Sequence, residues 1–346
     1  MPPPAPRTGP ASLTAAKVAS AFALPEPVGP LQEVPGREAR HTWRLDTIDG
    51  RYFVKVYDRP WDMPAWSGWI RALQGSWEIE SAAAAAGLPV ARPVHPPGAV
   101  WPWVDLGFGR DQFTVRVHEW VAGVQRTDPV PPSLAYGIGE LLARIHRLLP
   151  PLRRWRRRPV WPGDWSTGVA LPRQEGDLSM KFLGDALPLL EASSAFCARA
   201  LAEDTPLVRS HRDLHAHNML VRRDGTPVVI DWDAASTQRA DWELVETALE
   251  VAGYLTGPPD REIVEAVAAG YRAAGGPAWK ITATSFAGVL ICAQNWLQAS
   301  LYDIAWHSPA VGSPAGGSVG TPVVIQALGA VEQVMVAADA WMSWFQ

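Results

Sequence analysis

Hydrophobic and polar positions follow different periods in the two parts of this chain. In the first part, His41–Asp46 and Tyr52–Tyr57 are rich in β-branched and aromatic residues. They flank an Asp49–Gly50 pair, which is a strong signal for a tight hairpin turn. Phe113–Val121 has the same character. The pattern therefore predicts a β-hairpin and a further strand.

Helical spacing dominates the rest of the chain. Short helices are predicted at Ser12–Phe22 and at Trp77–Ala86, the second ended by Gly87. From Ser133 onward, apolar residues recur every three or four positions until Pro150. Apart from residues 207–233, the remainder favours helices, including one at Val323–Phe345.

Strands followed by helices are typical of an α+β fold, and 346 residues suffice for two packed lobes. We expect a leader at residues 1–35. A small strand-rich lobe at residues 36–120 and a larger, mainly helical lobe at residues 121–346 should follow it.

Composition narrows the class of partner. The net charge is −4 and the sequence pI is about 6.1, which argues against nucleic-acid binding through phosphate neutralisation.

The most apolar stretch, Phe286–Trp306, is interrupted by polar residues and predicts a buried helix rather than a membrane span. Met1–Pro10 lacks the features of a signal peptide. Cys197 and Cys292 form no metal or redox spacing, so we expect reduced thiols and a cytoplasmic protein.

Lysine is rare in this chain. Only four of the 31 basic residues are lysines, and Lys55 lies within a predicted strand, Phe53–Tyr57. A lysine at such a position is less easily explained as a generic surface charge.

The segment 210–233 carries the chemistry. Two apolar stretches joined by an Asp224–Gly225 turn present three oxygen-bearing side chains, Asp213, Asn218 and Asp231. Phosphoryl transfer needs a carboxylate that orients the attacking hydroxyl and oxygen ligands that hold Mg²⁺. These residues supply both.

His211–Asn218 reads His-Arg-Asp-Leu-His-Ala-His-Asn and matches the catalytic-loop signature of protein kinases. Ile230–Asp233 then stands where protein kinases have Asp-Phe-Gly. This variant resembles the aminoglycoside phosphotransferase/choline kinase-like family, as does Gly139–His146. The resemblance covers residues 36–255 and implies a two-lobed kinase-like fold, ATP or GTP with Mg²⁺, and a small-molecule acceptor.

The resemblance also implies residue roles. Asp213 matches the catalytic base, Asn218 and Asp231 match the metal ligands, and Lys55 matches the lysine that pairs the nucleotide phosphates. Asp241 matches the acid that braces the catalytic loop.

The lysine's partner on the following helix should be Glu78 or Glu80. Because two positions turn a helix by about 200°, only one of them can face the site. Glu119–Val121 resembles the hinge whose backbone holds adenine.

Some expected features are missing. Residues 36–40 hold no glycine-rich triplet for phosphate binding, no GxxxxGK[ST] motif occurs, and no Ala-Pro-Glu segment is present. The last two absences argue against P-loop kinases and protein kinases proper. The first leaves a catalytically silent, nucleotide-binding kinase homologue as an alternative.

A second alternative is a metal-dependent hydrolase. On an ideal strand, four side chains would point the same way: His211, Asp213, His215 and His217. That interpretation leaves Lys55 and Asn218 unexplained.

The acceptor is not identified by the sequence, although an aminoglycoside-like or amino-alcohol molecule is consistent with the family. Glu243, Glu246 and Glu250 share one helix face, either solvated or facing a cationic substrate. The basic run Arg153–Arg158 predicts a solvated turn or an anion-binding patch. The oligomeric state is left open.

Overall fold

The computed structural model describes most of the chain. The described residues are 13–34, 42–58, 63–107, 112–126, 129–153, 165, 178–203, 205–278, 280–307 and 320–346. Within them the chain forms two compact units. One comprises Met1–Val124 with Leu220–Asp233, and the other comprises Gln125–Met219 with Ala234–Gln346.

The first unit is built on an antiparallel sheet. Its elements in chain order are α1 (Ala15–Phe22), β1 (Gln32–Glu33), β2 (Thr42–Asp46), β3 (Arg51–Asp58), α2 (Met63–Ala85), β4 (Trp103–Leu106) and β5 (Phe113–Glu119). The strand order is β1-β2-β3-β5-β4. The hairpin predicted around Asp49–Gly50 is confirmed as β2–β3, with Asp46 paired to Arg51.

The two faces of this sheet differ. Alternate residues Val54, Val56, Val115 and Val117 are buried in a core with Val18 and Phe22 of α1. Because neighbouring residues of a strand point to opposite faces, Lys55 and Arg116 lie on the other face. They are register partners on β3 and β5.

A second hairpin completes this unit. Strand β6 (Val124–Gln125) follows β5 along the chain. It forms a three-stranded sheet with two later strands, β8 (Met219–Val221) and β9 (Pro227–Val229), in the order β6-β8-β9. The predicted Asp224–Gly225 turn joins β8 and β9, with Gly225 at φ +84°. Backbone hydrogen bonds from Ala91 to Val229 and from Val229 to Pro89 attach β9 to the segment after α2.

The second unit is mainly helical. Its helices are α3 (Pro132–His146), α4 (Leu178–Ala202), α5 (Ala240–Val251), α6 (Arg261–Ala273), α7 (Ala287–His307) and α8 (Gly320–Trp341). Its two-stranded sheet pairs β7 (Leu207–Ser210) with β10 (Ser236–Arg239) antiparallel.

Helices α3 and α6 cross at two glycines. A Cβ built on Gly139 would lie 2.0 Å from the carbonyl oxygen of Val267, and one on Gly270 would lie 2.0 Å from that of Tyr136. The absence of side chains lets the backbones meet, and at the end of α3 the His146 Nδ1 lies 2.7 Å from the Tyr271 hydroxyl of α6.

The α+β class predicted from the sequence is confirmed. The helix predicted at Trp77–Ala86 is longer, since α2 begins at Met63. Phe286–Trp306 corresponds to α7, and none of the described helices combines the length and apolar character that a membrane crossing requires. The first unit includes Leu220–Asp233, a segment that the predicted small lobe at residues 36–120 does not contain. The boundaries of that lobe stay a prediction.

Candidate active site

Lys55 lies between two carboxylates in the first unit. Its Nζ is 2.8 Å from Asp231 Oδ1 and 2.7 Å from Asp233 Oδ2. Burial alone lowers the pKa of the Lys55 amine, but the negative charges of Asp233 and Asp231 outweigh it and raise the pKa. The amine is therefore held as a cation.

Glu80, rather than Glu78, faces the polar side of the sheet. Glu80 is fully buried whereas Glu78 is exposed, as the 200° argument requires for two positions on one helix. The expected pairing of this glutamate with Lys55 is wrong, however. Glu80 pairs with Arg116 Nη2 through one oxygen and with His118 Nε2 at 3.0 Å through the other.

Arg116 links Glu80 to Asp233. Its guanidinium is 1% exposed and places Nη1 3.2 Å from Asp233 Oδ1. The Tyr57 hydroxyl donates to the same oxygen at 2.8 Å. Burial disfavours ionised Asp233, but the charges of Lys55 and Arg116 overcome this and lower its pKa. We call this set the lysine cluster: Lys55, Tyr57, Glu80, Arg116, Asp231 and Asp233.

Asp231 differs from Asp233 in exposure and backbone strain. The Asp231 side chain is 41% exposed and its φ is +59°, an unusual value for a residue other than glycine. Strained backbone of this kind concentrates at functional sites. Asp231 thus presents a solvent-accessible carboxylate beside a fixed ammonium group.

The predicted hinge residues lie at the end of β5. The Glu119 N–H donates to Arg92 O at 2.8 Å, and the Trp120 N–H donates to Arg51 O at 3.0 Å. Val121 follows outside the strand. Their role with adenine stays a prediction.

In the second unit, Asp213 is oriented by two neighbours of the catalytic loop, which we define as residues 211–218. Asn218 Nδ2 donates to Asp213 Oδ2 at 2.6 Å, and His215 Nε2 lies 3.3 Å from Oδ1. Burial raises the pKa of the carboxyl, but the hydrogen bond and charge of His215, with further help from His211 and Asn218, lower it overall. Asp213 is therefore ionised at neutral pH.

Glu243 holds the backbone of this loop. One oxygen accepts from the Arg212 N–H at 2.7 Å and from the Ser210 hydroxyl at 2.9 Å. The other is 3.3 Å from His146 Nε2, and the Nδ1 of that ring is 2.7 Å from the Tyr271 hydroxyl. Arg212 has φ +64°, so Glu243 stabilises a strained residue directly before Asp213.

Asp241, the acid predicted to brace the loop, has other partners. It accepts two hydrogen bonds from Arg239, at 3.0 and 2.8 Å, and one from Ser285 at 2.7 Å. The sequence analysis missed the bracing role of Glu243. Its place in the first turn of α5, one turn before Glu246, carried no signal that distinguished it.

A narrow recess adjoins Asp213. It is lined by Arg212, Asp213, Leu214, Glu243, Glu246, Thr247 and Glu250. The face formed by the three glutamates is therefore not simply solvated, since Glu243 is 1% exposed. Burial raises the pKa of Glu246 to about 7, and the charges of Glu243 and Asp213 act in the same direction.

The histidine alternative has no metal-binding geometry. His211 is buried, and the rings of His215 and His217 are 5.6 Å apart. No group of three or more His, Cys, Asp or Glu side chains within the described ranges is arranged to hold a metal ion. The segment 36–40 and Arg154–Arg158 lie outside the described residues.

The chain matches the model of the phosphotransferase enzyme family over residues 30–281, which is more than half of its length. A search among curated proteins found no significant match.

Solved structures agree on the fold. A spectinomycin phosphotransferase in complex with ADP and spectinomycin aligns with a TM-score of 0.66 and 12% identity, covering 94% of this chain and 99% of the other. An amicoumacin kinase in complex with AMP-PNP and Ca²⁺ gives 0.61 and 13%, covering 92% of each chain. A choline kinase from Streptococcus pneumoniae gives 0.58 and 15%, covering 92% and 97%.

The fold and the family model point the same way. The loop 211–218, with Asp213 ionised and oriented, lies inside the matched range, as do Lys55 and Asp231. The chain belongs to the phosphotransferase enzyme family.

Proposed function

We propose that this protein transfers the γ-phosphoryl group of a magnesium-bound nucleoside triphosphate to a hydroxyl group of a small acceptor that carries a positive charge. The observation that carries the proposal is Asp213, an ionised carboxylate oriented by Asn218 and His215 beside an acidic recess.

Asp213 acts on the acceptor. An ionised carboxylate can accept a hydrogen bond from the attacking hydroxyl, orient it and take its proton as the new bond forms. The hydrogen bond from Asn218 fixes one carboxylate oxygen, so the side chain need not reorganise during the reaction.

The chemistry of the oxygen donors suits Mg²⁺, which prefers carboxylate and amide oxygens. Asp231 offers a partly exposed carboxylate, and Asn218 offers an amide oxygen, since its nitrogen is engaged by Asp213. These two residues would hold the ion, which neutralises charge on the phosphates when bound. Lys55 would contact the phosphates, and the backbone of Glu119 and Val121 would hold the base of ATP or GTP.

The recess supports a cationic acceptor. Glu246 and Glu250 line it together with Asp213, against one positive side chain, Arg212. The recess is too narrow to admit the ammonium group itself, so these acidic residues would act by attracting the cation to the surface beside Asp213. Amino-alcohols and aminoglycoside-like molecules have this chemistry. Spectinomycin and choline, the substrates named for two of the matched structures, are consistent with it.

The test is a transfer assay with radiolabelled ATP or GTP, with and without Mg²⁺. The acceptor panel should include amino-alcohols, aminoglycosides and uncharged sugars. We expect Mg²⁺-dependent transfer to a cationic acceptor, abolished in Asp213→Asn.

Transfer only to uncharged acceptors would contradict the cationic part of the proposal. Turnover that is unchanged in Asp213→Asn would contradict the role of the base. Nucleotide binding without transfer to any acceptor would favour the catalytically silent homologue.

A further inference from the structure

Two cations lie side by side on the polar face of the first unit's sheet. Lys55 on β3 and Arg116 on β5 are register partners, so their side chains leave the sheet as neighbours on the same face. The positive charges of these two side chains would repel each other if no carboxylates lay between them. Their partners therefore decide where each side chain points.

Asp233 is the carboxylate shared by both cations. Its Oδ2 is 2.7 Å from Lys55 Nζ, and its Oδ1 is 3.2 Å from Arg116 Nη1 and accepts from the Tyr57 hydroxyl at 2.8 Å. Three donors from two strands thus fix both oxygens of this residue.

Arg116 extends the connection to helix α2. One guanidinium nitrogen contacts Asp233 and the other contacts Glu80, and both Arg116 and Glu80 are almost completely buried. The planar guanidinium can hold two carboxylates in fixed directions, which an ammonium group cannot do as well. The contacts run from Glu80 through Arg116 and Asp233 to Lys55.

The two aspartates of the lysine cluster have different roles. Two cations face three carboxylates, since Tyr57 is neutral. Asp233 is fixed by three donors, whereas Asp231 contacts Lys55 and keeps a side chain that is 41% exposed. Asp231 is therefore the carboxylate with room for a further ligand.

We propose that Arg116 and Asp233 are positioning residues for the Lys55 amine and replace the direct ion pair of Lys55 with Glu78 or Glu80 that the sequence predicted. The statement that Lys55 acts on phosphate rests on the proposed function, but the positioning of its amine does not.

A simpler role for Arg116 is to neutralise the buried charge of Glu80. Arg116→Lys separates the two, because lysine keeps the positive charge but lacks the fork that reaches Asp233. Asp233→Asn tests the other end of the connection, because asparagine has similar size but no charge to attract Lys55. Arg51→Lys is the matched control, since Arg51 lies on the same sheet with a side chain that is 63% exposed.

The first measurement is a double-mutant cycle on kcat. Arg116→Lys and Asp233→Asn should each lower kcat by about 10- to 100-fold in the presence of Lys55, as expected for misplaced phosphate contacts. In a Lys55→Met background the same changes should have almost no further effect on kcat. Arg51→Lys should leave kcat unchanged in both backgrounds.

Equal losses with and without Lys55 would show a merely structural role and overturn the proposal. No loss in Arg116→Lys would overturn the bridging role of the guanidinium.

The second measurement does not need turnover. The chain has only four lysines, so ¹³Cε-labelled lysine gives few signals, and the Lys55 signal is the one missing in Lys55→Met. Relaxation at pH 7 should report a restricted Lys55 side chain in the wild type and a more mobile one in Arg116→Lys and Asp233→Asn. Unchanged mobility in both variants would overturn the proposal. If no acceptor is ever phosphorylated, the proposed function fails while this result still decides the positioning role.

Discussion

The carboxylate of Glu243 accepts a hydrogen bond of 2.7 Å from the backbone N–H of Arg212, the residue before the candidate base Asp213. A helix in the second unit thereby fixes the backbone of the catalytic loop at a position with φ +64°. The orientation of Asp213 thus depends on a buried residue that does not itself carry out the chemistry.

Glu243→Ala should reduce both stability and turnover. The change leaves the Arg212 N–H, the Ser210 hydroxyl and His146 without their shared acceptor, which costs about 1–3 kcal/mol for each buried group left unsatisfied. We expect a clear loss of unfolding free energy in a denaturant titration and a kcat lowered by about tenfold or more. Glu243→Gln keeps one acceptor oxygen and should lie between the alanine variant and the wild type. Glutamine and alanine variants with identical properties would argue against the bracing contacts.

Asp213→Asn should abolish turnover without unfolding the protein. The side chain is 47% exposed, and asparagine can still accept the hydrogen bond from Asn218. We expect kcat to fall by about 10²- to 10⁴-fold, the usual contribution of a general base, with little change in Tm. Because the pKa of Asp213 is lowered, the wild type should show no loss of kcat/KM from this group between about pH 5 and 8. A wild-type loss of kcat/KM in that range that is absent in the asparagine variant would contradict the assignment.

Two glycines of α3 offer a matched pair for testing the helix crossing. Gly139→Ala places a Cβ 2.0 Å from a backbone oxygen of α6, whereas a Cβ on Gly137 meets nothing within 4 Å. We expect Gly139→Ala to destabilise the protein by about 1–3 kcal/mol, as overpacking does. Gly137→Ala should stabilise it by up to about 1 kcal/mol, because alanine is the better helix former. Thermal unfolding of both variants checks this prediction. Shifts in Tm of the same sign for the two variants would contradict the close crossing of the helices.

Glu246 should make stability depend on pH. Its folded pKa of about 7 lies above the ordinary value of 4.5, so the folded state binds the proton more tightly than the unfolded state. The contribution to stability is then full below about pH 4.5 and is lost as the pH rises through about 7. Glu246→Gln should therefore be nearly neutral at pH 4.5 and stabilising by about 1–3 kcal/mol at pH 8. Denaturant titrations at both pH values check this, and an equal effect at both would contradict the raised pKa.

Much of the candidate site was predictable because its signals are local in the sequence. The loop 211–218 spells a known pattern, and Asp231 follows a strand that ends in carboxylates. Helix geometry limits the glutamate that faces the site to one of Glu78 and Glu80, but the choice between them needed the burial that the structure shows. Each inference needs only a few neighbouring residues.

The partners of Lys55 and of the catalytic loop were not predictable in the same way. Arg116 reaches Lys55 through the register of β3 and β5, and Asp233 reaches it through the attachment of β9 to the segment after α2. Both contacts join residues far apart in the chain, which no local period encodes. Asp241 and Glu243 differ by two positions on one helix, and only the packing of α5 decides which carboxylate meets the loop.

The division of the first unit into two separated segments bears on how the protein is made. A nascent chain that has reached Val124 already contains Lys55 and Arg116, but residues 125–219 must follow before the ribosome adds Leu220–Asp233. Until then Lys55 lacks both of its carboxylates and Arg116 has Glu80 alone. The amino-terminal sheet therefore cannot settle into its final charge pairing as soon as it emerges, and its maturation during translation waits for the middle of the polypeptide.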